Sequence, residues 1–411
     1  MTMQATDRKL TFNPFSQEHG DDPESSFGPL REVDPVHCWE GGGGAWVMTR
    51  YRDVAELLKD PRFTMDQRVW KNYVEPEAMK MPDLIAMRES HLFQIPPDRH
   101  ARVRKIAAPT FAPSRIAGLE GKIQELVDQI FVEARADERD TLDISRDLAG
   151  PLPIRAIAAV LGIPTEHQEV FRRWGASLLK IVLPFYSADE LREAAEIVPI
   201  GCNLIRELIE ERRVRPREDL LGVLVSAHDE GQRLTSDELL SLVASLITAG
   251  SDSTAFMISF AVYNLLKHPD QLAIVRDDPT KIPGALEEAL RFDNFSRLGT
   301  LRFALEDVTV HGKTIRRGDM VVAAIGGAMH DREVWPDAER FDVTRDPTRN
   351  LSWGRGPHYC PGMHLARLEG MVAVRTLLQR YPSLRLVREP TIAPHPMLRP
   401  MPSLEVSIRP E

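Results

Sequence analysis

Cysteine is scarce in this chain: only Cys38, Cys202 and Cys360 occur among its 411 residues. They lie far apart and include no C-x-x-C pair, so the sequence supports neither a structural zinc site nor a disulfide framework. No uninterrupted apolar run approaches the ~20 residues that a membrane-spanning helix requires. Residues 1–22 are polar and carry no signal-peptide pattern. We therefore expect a bacterial protein of the reducing cytoplasm, without a membrane anchor.

Positive charge is in deficit, with 52 Lys and Arg residues against 61 Asp and Glu, and a formal net charge of −9. A nucleic-acid-binding protein normally has a basic excess, so the composition argues against that class and favours a small-molecule ligand. Neither a flavin nor a nicotinamide fingerprint is present. Hydrophobic residues make up 43% of the chain, which is an ordinary globular proportion.

The pattern of apolar residues predicts a mainly α fold with a smaller β-rich part. Val308–Ile315 is typical of a hairpin built around His-Gly-Lys, and the alternating Ser403–Ile408 predicts a last strand. We expect a single domain over 1–411 with two lobes. These are a β-leaning lobe of about 1–66 plus the 301–325 hairpin, and an α-rich lobe of about 98–290 and 326–390.

One predicted helix is unusually long. Thr235 and Glu238 match a capping box, with a hydroxyl at the N-cap and a carboxylate three residues later. Leu239–Lys267 then contains no proline, and His268-Pro269 ends the pattern. At 1.5 Å per residue, ~30 residues extend roughly 45 Å, which is enough to cross a domain. The middle is apolar around most of the circumference, so we expect a central, buried helix.

The stretch Trp353–Gly362 places Cys360 in a glycine-rich turn that leads into a helix beginning near Met363. Glycines allow close approach to a flat ligand, and a helix N-terminus stabilises a thiolate. Such a thiolate suits an axial haem ligand that favours O–O cleavage. A lone cysteine is more often a small buried hydrophobe. The flanking glycines and His358, in register, favour the ligand.

This stretch resembles the haem-ligand loop of the cytochrome P450 monooxygenases, whose usual form is Phe-Gly-x-Gly-x-His-x-Cys-x-Gly. The resemblance covers nearly the whole chain and is strongest to bacterial members that tailor polyketides, such as the epothilone epoxidases. It implies the P450 fold, with the long helix over the distal face of haem b (iron protoporphyrin IX), and iron ligation by Cys360. Trp353, Gly354 and Gly362 then lie beside the cofactor. Trp353 replaces the usual phenylalanine, and its indole N–H requires a partner.

Ala249–Thr254, in the middle of the long helix, contains a carboxylate followed by two hydroxyls. Taken alone, a helix kink satisfied by its own hydroxyls is the simpler interpretation. Beside the cysteine loop, the stretch resembles the family's acid–alcohol pair, which delivers protons to oxygen. Asp252 matches the acid and Ser253 the alcohol, where threonine is usual, while Thr254 is a candidate to share that role. Ala249 is expected to lie against the haem.

Haem propionates require cationic donors. His100 and Arg104 are at i and i+4 on one face of a predicted helix. Arg302 opens a predicted strand, and His358 lies in the ligand loop. Each alone is more often a solvated charge, but all four match the family's propionate-binding positions.

Glu288 and Arg291 match the family's Glu-x-x-Arg motif, and Arg340 lies in the segment that resembles the source of its third member. The resemblance implies a buried ion network that secures the backbone behind the thiolate loop. Such a network stabilises the fold and retains haem, because breaking one partner of a buried pair is costly. We assign these three residues a structural role.

The implied reaction inserts one oxygen atom from O2 into a C–H or C=C bond of a hydrophobic small molecule, such as a polyketide, terpenoid or fatty acid. Electrons are expected from a separate ferredoxin or flavodoxin. A basic surface for that partner and a merely solvated rim are equally consistent with Arg102, Lys105, Arg355 and Arg367. The alternatives are a haem-binding protein and a peroxygenase, neither using the O2/NAD(P)H cycle; the acid–alcohol pair argues against the peroxygenase.

Substrate contacts are expected from segments that flank these motifs. The segments are mainly apolar, which favours a hydrophobic substrate over a charged one. Arg297, in the same region, is expected to be exposed. The candidate substrate residues are Leu92, Phe93, Leu179, Ser245, Thr248, Leu298, Thr300, Met397 and Leu398.

Overall fold

Helices account for most of the described structure. The computed structural model describes residues 10–75, 77–182, 188–229, 232–395 and 397–409. The α-helices are α1 (Gln17–Asp21), α2 (Glu24–Val33), α3 (Tyr51–Leu57), α4 (Pro82–Glu89), α5 (Pro97–Ala107), α6 (Pro113–Ala117), α7 (Glu120–Glu133), α8 (Pro151–Leu161), α9 (Gln168–Val182), α10 (Ala188–Val214), α11 (Leu220–Ser226), α12 (Ser236–Lys267), α13 (Pro269–Asp277), α14 (Ile282–Phe292), α15 (Ile325–Ala328) and α16 (Met363–Arg380). The strands are β1 (Val36–Trp39), β2 (Ala45–Met48), β3 (Phe63–Thr64), β4 (Thr141–Asp143), β5 (His228–Asp229), β6 (Gln232–Arg233), β7 (Thr300–Ala304), β8 (Val308–Val310), β9 (Lys313–Ile315), β10 (Met320–Ala323), β11 (Arg385–Leu386) and β12 (Glu405–Ser407).

The long helix α12 contains 32 residues and packs against α8, α14 and α16. Its capping box is formed in both directions. Glu238 N–H donates to Thr235 Oγ1 at 3.1 Å, and Thr235 N–H donates to Glu238 Oε2 at 2.9 Å. The helix ends at Lys267, before Pro269 begins α13. The predicted long, central helix is confirmed.

By length and apolar composition, α12 also meets the requirement for a membrane span. The core helix of a soluble protein meets the same requirement, so this observation carries little weight. Leu240, Val243 and Ala261 of α12 are completely buried among neighbouring helices.

The main sheet has five strands in the order β1-β2-β10-β7-β3. β2 and β10 run parallel, and the other neighbours are antiparallel. Successive side chains of a strand face opposite sides, so Val321 and Val322 of β10 belong to two separate apolar clusters. A third, larger cluster joins the helices around α12. The predicted fold class, mainly α with a smaller β-rich part, is confirmed.

Two predicted β segments are present. β8 pairs with β9, and His311 and Gly312 between them have φ of +50° and +75°. Positive φ at both central residues is the geometry of a tight hairpin turn, and glycine adopts it without strain. The last strand is shorter than Ser403–Ile408: β12 covers three of those residues and lies between β11 and β4.

Arg297 is buried with 2% of its surface exposed, so the expectation of an exposed arginine is wrong. Its guanidinium donates to the carbonyls of Pro14, at 2.6 Å, and Ser16. Arg399, also buried, donates to the carbonyl of Gly20 at 2.8 Å. The two arginines attach the N-terminal segment to the body of the protein. The sequence does not reveal this, because the acceptors are distant backbone carbonyls.

Candidate active site

The cysteine loop is closed by its own backbone. Cys360 N–H donates to the carbonyl of Trp353 at 2.9 Å, and Gly354 and Gly356 have φ of +75° and +71°. These two positions require the left-handed conformation that glycine adopts readily. The loop therefore leads directly into α16, which begins at Met363.

Burial raises the pKa of the Cys360 thiol, whereas the backbone N–H groups of Gly362 and Met363 and the guanidinium of Arg104 lower it. Burial dominates in the protein alone. Both N–H groups come from the start of α16, where a helix leaves its first donors free. A bound metal cation would supply the remaining stabilisation of a thiolate here, because a metal ion deprotonates its thiol ligand.

A cavity lies between the cysteine loop and α12. Its wall combines predicted and unpredicted side chains. The predicted ones are Phe93, Ser253, Thr254, Thr300, Arg302, Trp353, Gly354, His358 and Cys360. Those that the sequence did not single out are Leu58, Met65, Met257, Leu290, Phe295, Ile325, Ser352 and Ala366.

Only some of the unpredicted residues had a signal in the sequence. Met257 lies four residues after Ser253 and therefore on the same helix face. Leu58 directly follows α3 and Ile325 begins α15, and only the folded chain brings these two segments to the cavity.

Cationic and imidazole side chains converge on one end of the cavity. Arg302 has 4% of its surface exposed and donates to the carbonyl of Leu301 at 2.9 Å; burial lowers its pKa to about 10. Within the described ranges Arg302 forms no ion pair. The His100 and His358 rings are 4.5 Å apart, and Arg104 donates to the carbonyl of Tyr359 at 2.7 Å.

His358 has a buried ring nitrogen that lacks an acceptor among the described residues. Its Nδ1 is buried and has no hydrogen-bond partner in the described structure. Burial, followed by the nearby His100, Arg302 and Arg104, lowers its pKa to about 3. Buried donors normally have acceptors. A cluster of donors without a carboxylate fits a bound anionic group, and the two propionates of haem meet that requirement.

The hydroxyls of α12 bond within their own helix. Ser253 Oγ donates to the carbonyl of Ala249 at 2.6 Å, and Ser251 Oγ donates to Ile247 at 2.6 Å. Thr254 is buried at the cavity wall. Asp252 is exposed to solvent, and its partial burial among neighbouring atoms raises the pKa of the carboxyl. Asp252 therefore retains a proton to higher pH than an ordinary aspartate.

The ion network behind the loop is present with one different member. Arg291 donates to Glu288 through Nε at 2.7 Å and Nη2 at 2.8 Å, with both side chains buried. The third cation is Arg345, whose Nε is 3.4 Å from Glu288 Oε1. Arg340 takes part through its backbone carbonyl, which accepts from Arg291 at 3.2 Å. The prediction named the wrong residue for the third charge because both arginines lie in the same short segment.

Glu287 is a residue that the sequence analysis missed. Its carboxylate accepts the indole N–H of Trp353 at 2.9 and 3.0 Å. It also accepts from Arg367 Nε at 2.6 Å and from Asn350 Nδ2 at 2.9 Å. The requirement of the indole N–H for a partner was evident, but its identity depends on the packing of α14 against the loop.

Two of the four cations considered for a docking surface or a solvated rim are engaged within the protein. Arg367 pairs with Glu287, as described above. Arg102 pairs with Glu238, the capping carboxylate of α12, which also accepts from Arg99 Nε at 2.9 Å. Arg355, by contrast, is exposed.

The nine predicted substrate residues fall in different places. Phe93 and Thr300 line the cavity. The hydroxyls of Ser245 and Thr248 donate to carbonyls of α12, each at 2.7 Å. The side chain of Leu179 lies outside the described residues. Within the described part of the chain, the other residues outside this wall are Leu92, Leu298, Met397 and Leu398.

Comparison with known proteins agrees with this geometry. Residues 36–282 and 280–407 match the family "Cytochrome P450". The chain is 40% identical over 403 residues to the epothilone C/D epoxidase of Sorangium cellulosum, covering 97% of this chain and 95% of that protein. It is 35% identical over 377 residues to the mycinamicin IV hydroxylase/epoxidase of Micromonospora griseorubida, covering 91% of each.

A solved structure shows the same architecture. The epothilone D-bound cytochrome P450epoK superimposes with a TM-score of 0.90 at 38% identity, covering 97% of this chain and 99% of that one. The family match extends over most of the chain, and the relatives are named hydroxylases and epoxidases. This chain therefore belongs to the cytochrome P450 family and is a monooxygenase.

Proposed function

We propose that this protein inserts one oxygen atom from O2 into a C–H or C=C bond of a hydrophobic small molecule. The observation that carries the proposal is one cavity whose wall combines Cys360, the hydroxyl-bearing Ser253 and Thr254, and Arg302 with His358. Haem b, when bound, supplies the activation of dioxygen. The remaining chemistry, holding the cofactor and moving protons, belongs to the side chains.

The residues present fit a haem. Cys360 would hold the iron, and the N–H groups of Gly362 and Met363 favour its anionic form. His100, Arg104, Arg302 and His358 would hold the propionates, because they supply donors where the described structure has no competing carboxylate. Trp353, Gly354 and Ala249 would lie against the ring. Arginine suits this task because its guanidinium pairs with a carboxylate in a bidentate manner.

Proton delivery is assigned to α12. The raised pKa of Asp252 keeps its carboxyl protonated closer to neutral pH, while solvent still reaches the group. Asp252 can therefore collect a proton from water. The Ser253 hydroxyl, held on the Ala249 carbonyl, is positioned to pass a proton towards the cavity. Thr254 shares the same wall.

The substrate class is inferred from the cavity-lining residues that the sequence analysis did not single out. Met257, Phe295 and Ile325 are apolar and join Phe93 around the cavity. An apolar lining with few polar groups favours a hydrophobic ligand. A polyketide, terpenoid or fatty acid fits this lining, and the names of the relatives favour the polyketide.

Electrons would come from a separate ferredoxin or flavodoxin, with no flavin or nicotinamide bound to this chain. A groove beside the cysteine loop contains Arg349, Arg355 and Tyr359. Exposed cations at this position attract an acidic redox partner and increase its rate of association.

The first test is the carbon-monoxide difference spectrum of the reduced protein. A strongly red-shifted Soret band is expected from the parent and from Cys38→Ser, which changes an exposed cysteine. The band should be absent from Cys360→Ser. A Cys360→Ser protein with the parent spectrum would refute thiolate ligation.

A second test separates the monooxygenase from the alternatives. Substrate-dependent NADH consumption with ferredoxin and its reductase is expected, with product labelled from 18O2. Product formed only with hydrogen peroxide would indicate a peroxygenase. A haem spectrum without any turnover of a polyketide, terpenoid and fatty-acid library would indicate a binding protein.

A further inference from the structure

The indole of Trp353 is held by a carboxylate and not by the thiolate beside it. Its Nε1–H is shared between the two oxygens of Glu287, at 2.9 and 3.0 Å. Glu287 lies on α14, and its side chain has 7% of its surface exposed. A hydrogen bond from a neutral donor to a buried carboxylate is charge-assisted and therefore strong. The direction of the N–H is thus fixed by a residue outside the cysteine loop.

Glu287 also fixes the surroundings of the indole. Arg367 of α16 donates to the same carboxylate at 2.6 Å, and its guanidinium lies 5.2 Å from the Trp353 ring centre. Asn350 donates at 2.9 Å from the segment preceding the loop. One carboxylate therefore joins α14, the loop and α16. The positive charge of Arg367 compensates the negative charge of Glu287. Glu287 therefore acts on the Trp353 indole mainly by orienting it.

Trp353 and the proposed sulfur ligand belong to the same loop. The Trp353 carbonyl accepts the Cys360 backbone N–H at 2.9 Å, and both side chains line the same cavity. The backbone N–H groups of Gly362 and Met363 lower the pKa of the Cys360 thiol and so already favour the charged sulfur. A third donor at the sulfur would draw charge from it, and hydrogen bonds of this kind raise the potential of the bound metal.

We infer that Glu287 is a positioning residue that directs the Trp353 N–H away from the thiolate and so keeps the reduction potential of the iron low. The inference rests on the proposed ligation of iron by Cys360. It assigns a function to a tryptophan in place of the usual phenylalanine. The larger ring supplies a donor, and Glu287 prevents that donor from reaching the sulfur.

The test is a double-mutant cycle on the haem-loaded protein, with the midpoint potential measured by spectroelectrochemical titration. Glu287→Gln replaces the carboxylate by a weaker acceptor, and Glu287→Asp withdraws the carboxylate while keeping its charge. Both should raise the potential. Trp353→Phe removes the N–H and keeps an aromatic ring, so its own potential should stay near the parent value. In that background the Glu287 changes should lose most of their effect.

Several outcomes would overturn the inference. Equal shifts with and without Trp353→Phe would mean that Glu287 acts as a charge through space. An unchanged potential in Glu287→Asp, together with a shift in Glu287→Gln, would also mean that Glu287 acts through its charge and not by positioning the indole. Loss of the red-shifted carbon-monoxide band in the Glu287 variants alone would mean that Glu287 holds the loop and not the indole.

The design remains decisive if one variant does not fold. Glu287→Asp keeps a negative charge beside Arg367 and then carries the cycle without Glu287→Gln. Failure of the proposed function is seen separately, because the parent itself would then lack the red-shifted band. A parent with that band and no potential shift in any Glu287 variant refutes only this inference.

Discussion

The two sides of the cavity satisfy their polar groups in opposite ways. On α12, Ser251 and Ser253 each bond to a carbonyl four residues earlier, so the helix supplies its own partners. At the cysteine loop, Trp353 depends on Glu287, which comes from a different helix. The α12 side is therefore locally determined and easily adjusted. The loop side is held by tertiary contacts, and changes there affect the whole structure.

The largest change in stability is expected from breaking the buried ion pair of Glu288 and Arg291 behind the loop. Glu288→Gln leaves Arg291 buried without its carboxylate, and such a change costs about 3–5 kcal/mol. We expect a large drop in the free energy of unfolding, measured by chemical denaturation, together with haem loss. Glu169→Gln is the matched control, because it breaks an exposed pair with Arg172. A comparable loss of unfolding free energy in both variants would mean that the buried pair matters no more than the exposed one.

On the α12 side, Asp252→Asn should preserve the fold and reduce turnover. Removing a positioned acid typically slows its step by about 10²-fold. Because burial raises the pKa of Asp252, the parent loses the protonated donor as pH rises through that raised value. The corresponding alkaline decline in product per NADH should be absent from Asp252→Asn. An identical pH profile in both proteins would exclude Asp252 from proton delivery.

The buried carboxyl of Glu369, on α16, should make the stability of the protein depend on pH. Its Oε2 has no hydrogen-bond partner in the described structure, and burial raises its pKa well above the ordinary value of 4.5. The folded state therefore keeps a proton that the unfolded state releases. This stability is fully present below the unfolded pKa and is lost as pH rises through the folded pKa.

Glu369→Gln should remove the loss of stability that the parent shows as pH rises. We expect it to be more stable than the parent at pH 8, by on the order of 1–3 kcal/mol, and close to the parent at pH 4. Thermal or chemical unfolding at both pH values measures the difference. An equal difference at the two pH values would mean that Glu369 does not titrate between them.

The smallest effect is expected from Ser253→Thr. The added methyl restricts χ1 while the hydroxyl is retained, so proton delivery should be better positioned and less oxygen lost as peroxide. Peroxide formed per NADH consumed measures this, with Ser253→Ala as the control that removes the hydroxyl and should increase it. An unchanged peroxide yield in Ser253→Thr would contradict the proposal that serine positions the proton less tightly.

The same contrast explains which features the sequence predicts. The capping box of Thr235 and Glu238, and the turn at His311, depend on residues a few positions apart, and both are present as predicted. Arg345 in place of Arg340, the burial of Arg297 and the contact of Glu287 with Trp353 depend on segments that meet only after folding. A motif indicates which group is needed, whereas the partner it acquires depends on how distant elements pack.

The buried arginines at the N-terminal segment have a consequence for substrate selection. The guanidinium groups of Arg297 and Arg399 bind carbonyls of residues 14–20. The backbone N–H of Arg399 donates to the carbonyl of Phe295 at 2.8 Å. Phe295 lines the cavity. Removing residues 10–20 would take from Arg297 the carbonyls of Pro14 and Ser16, and from Arg399 that of Gly20. Arg297 would keep the His395 carbonyl, and Arg399 would keep Asp293 and the Asn294 carbonyl, so we expect the weaker attachment to loosen Phe295. Ligand preference would then change through a stretch of chain that lies outside the cavity wall.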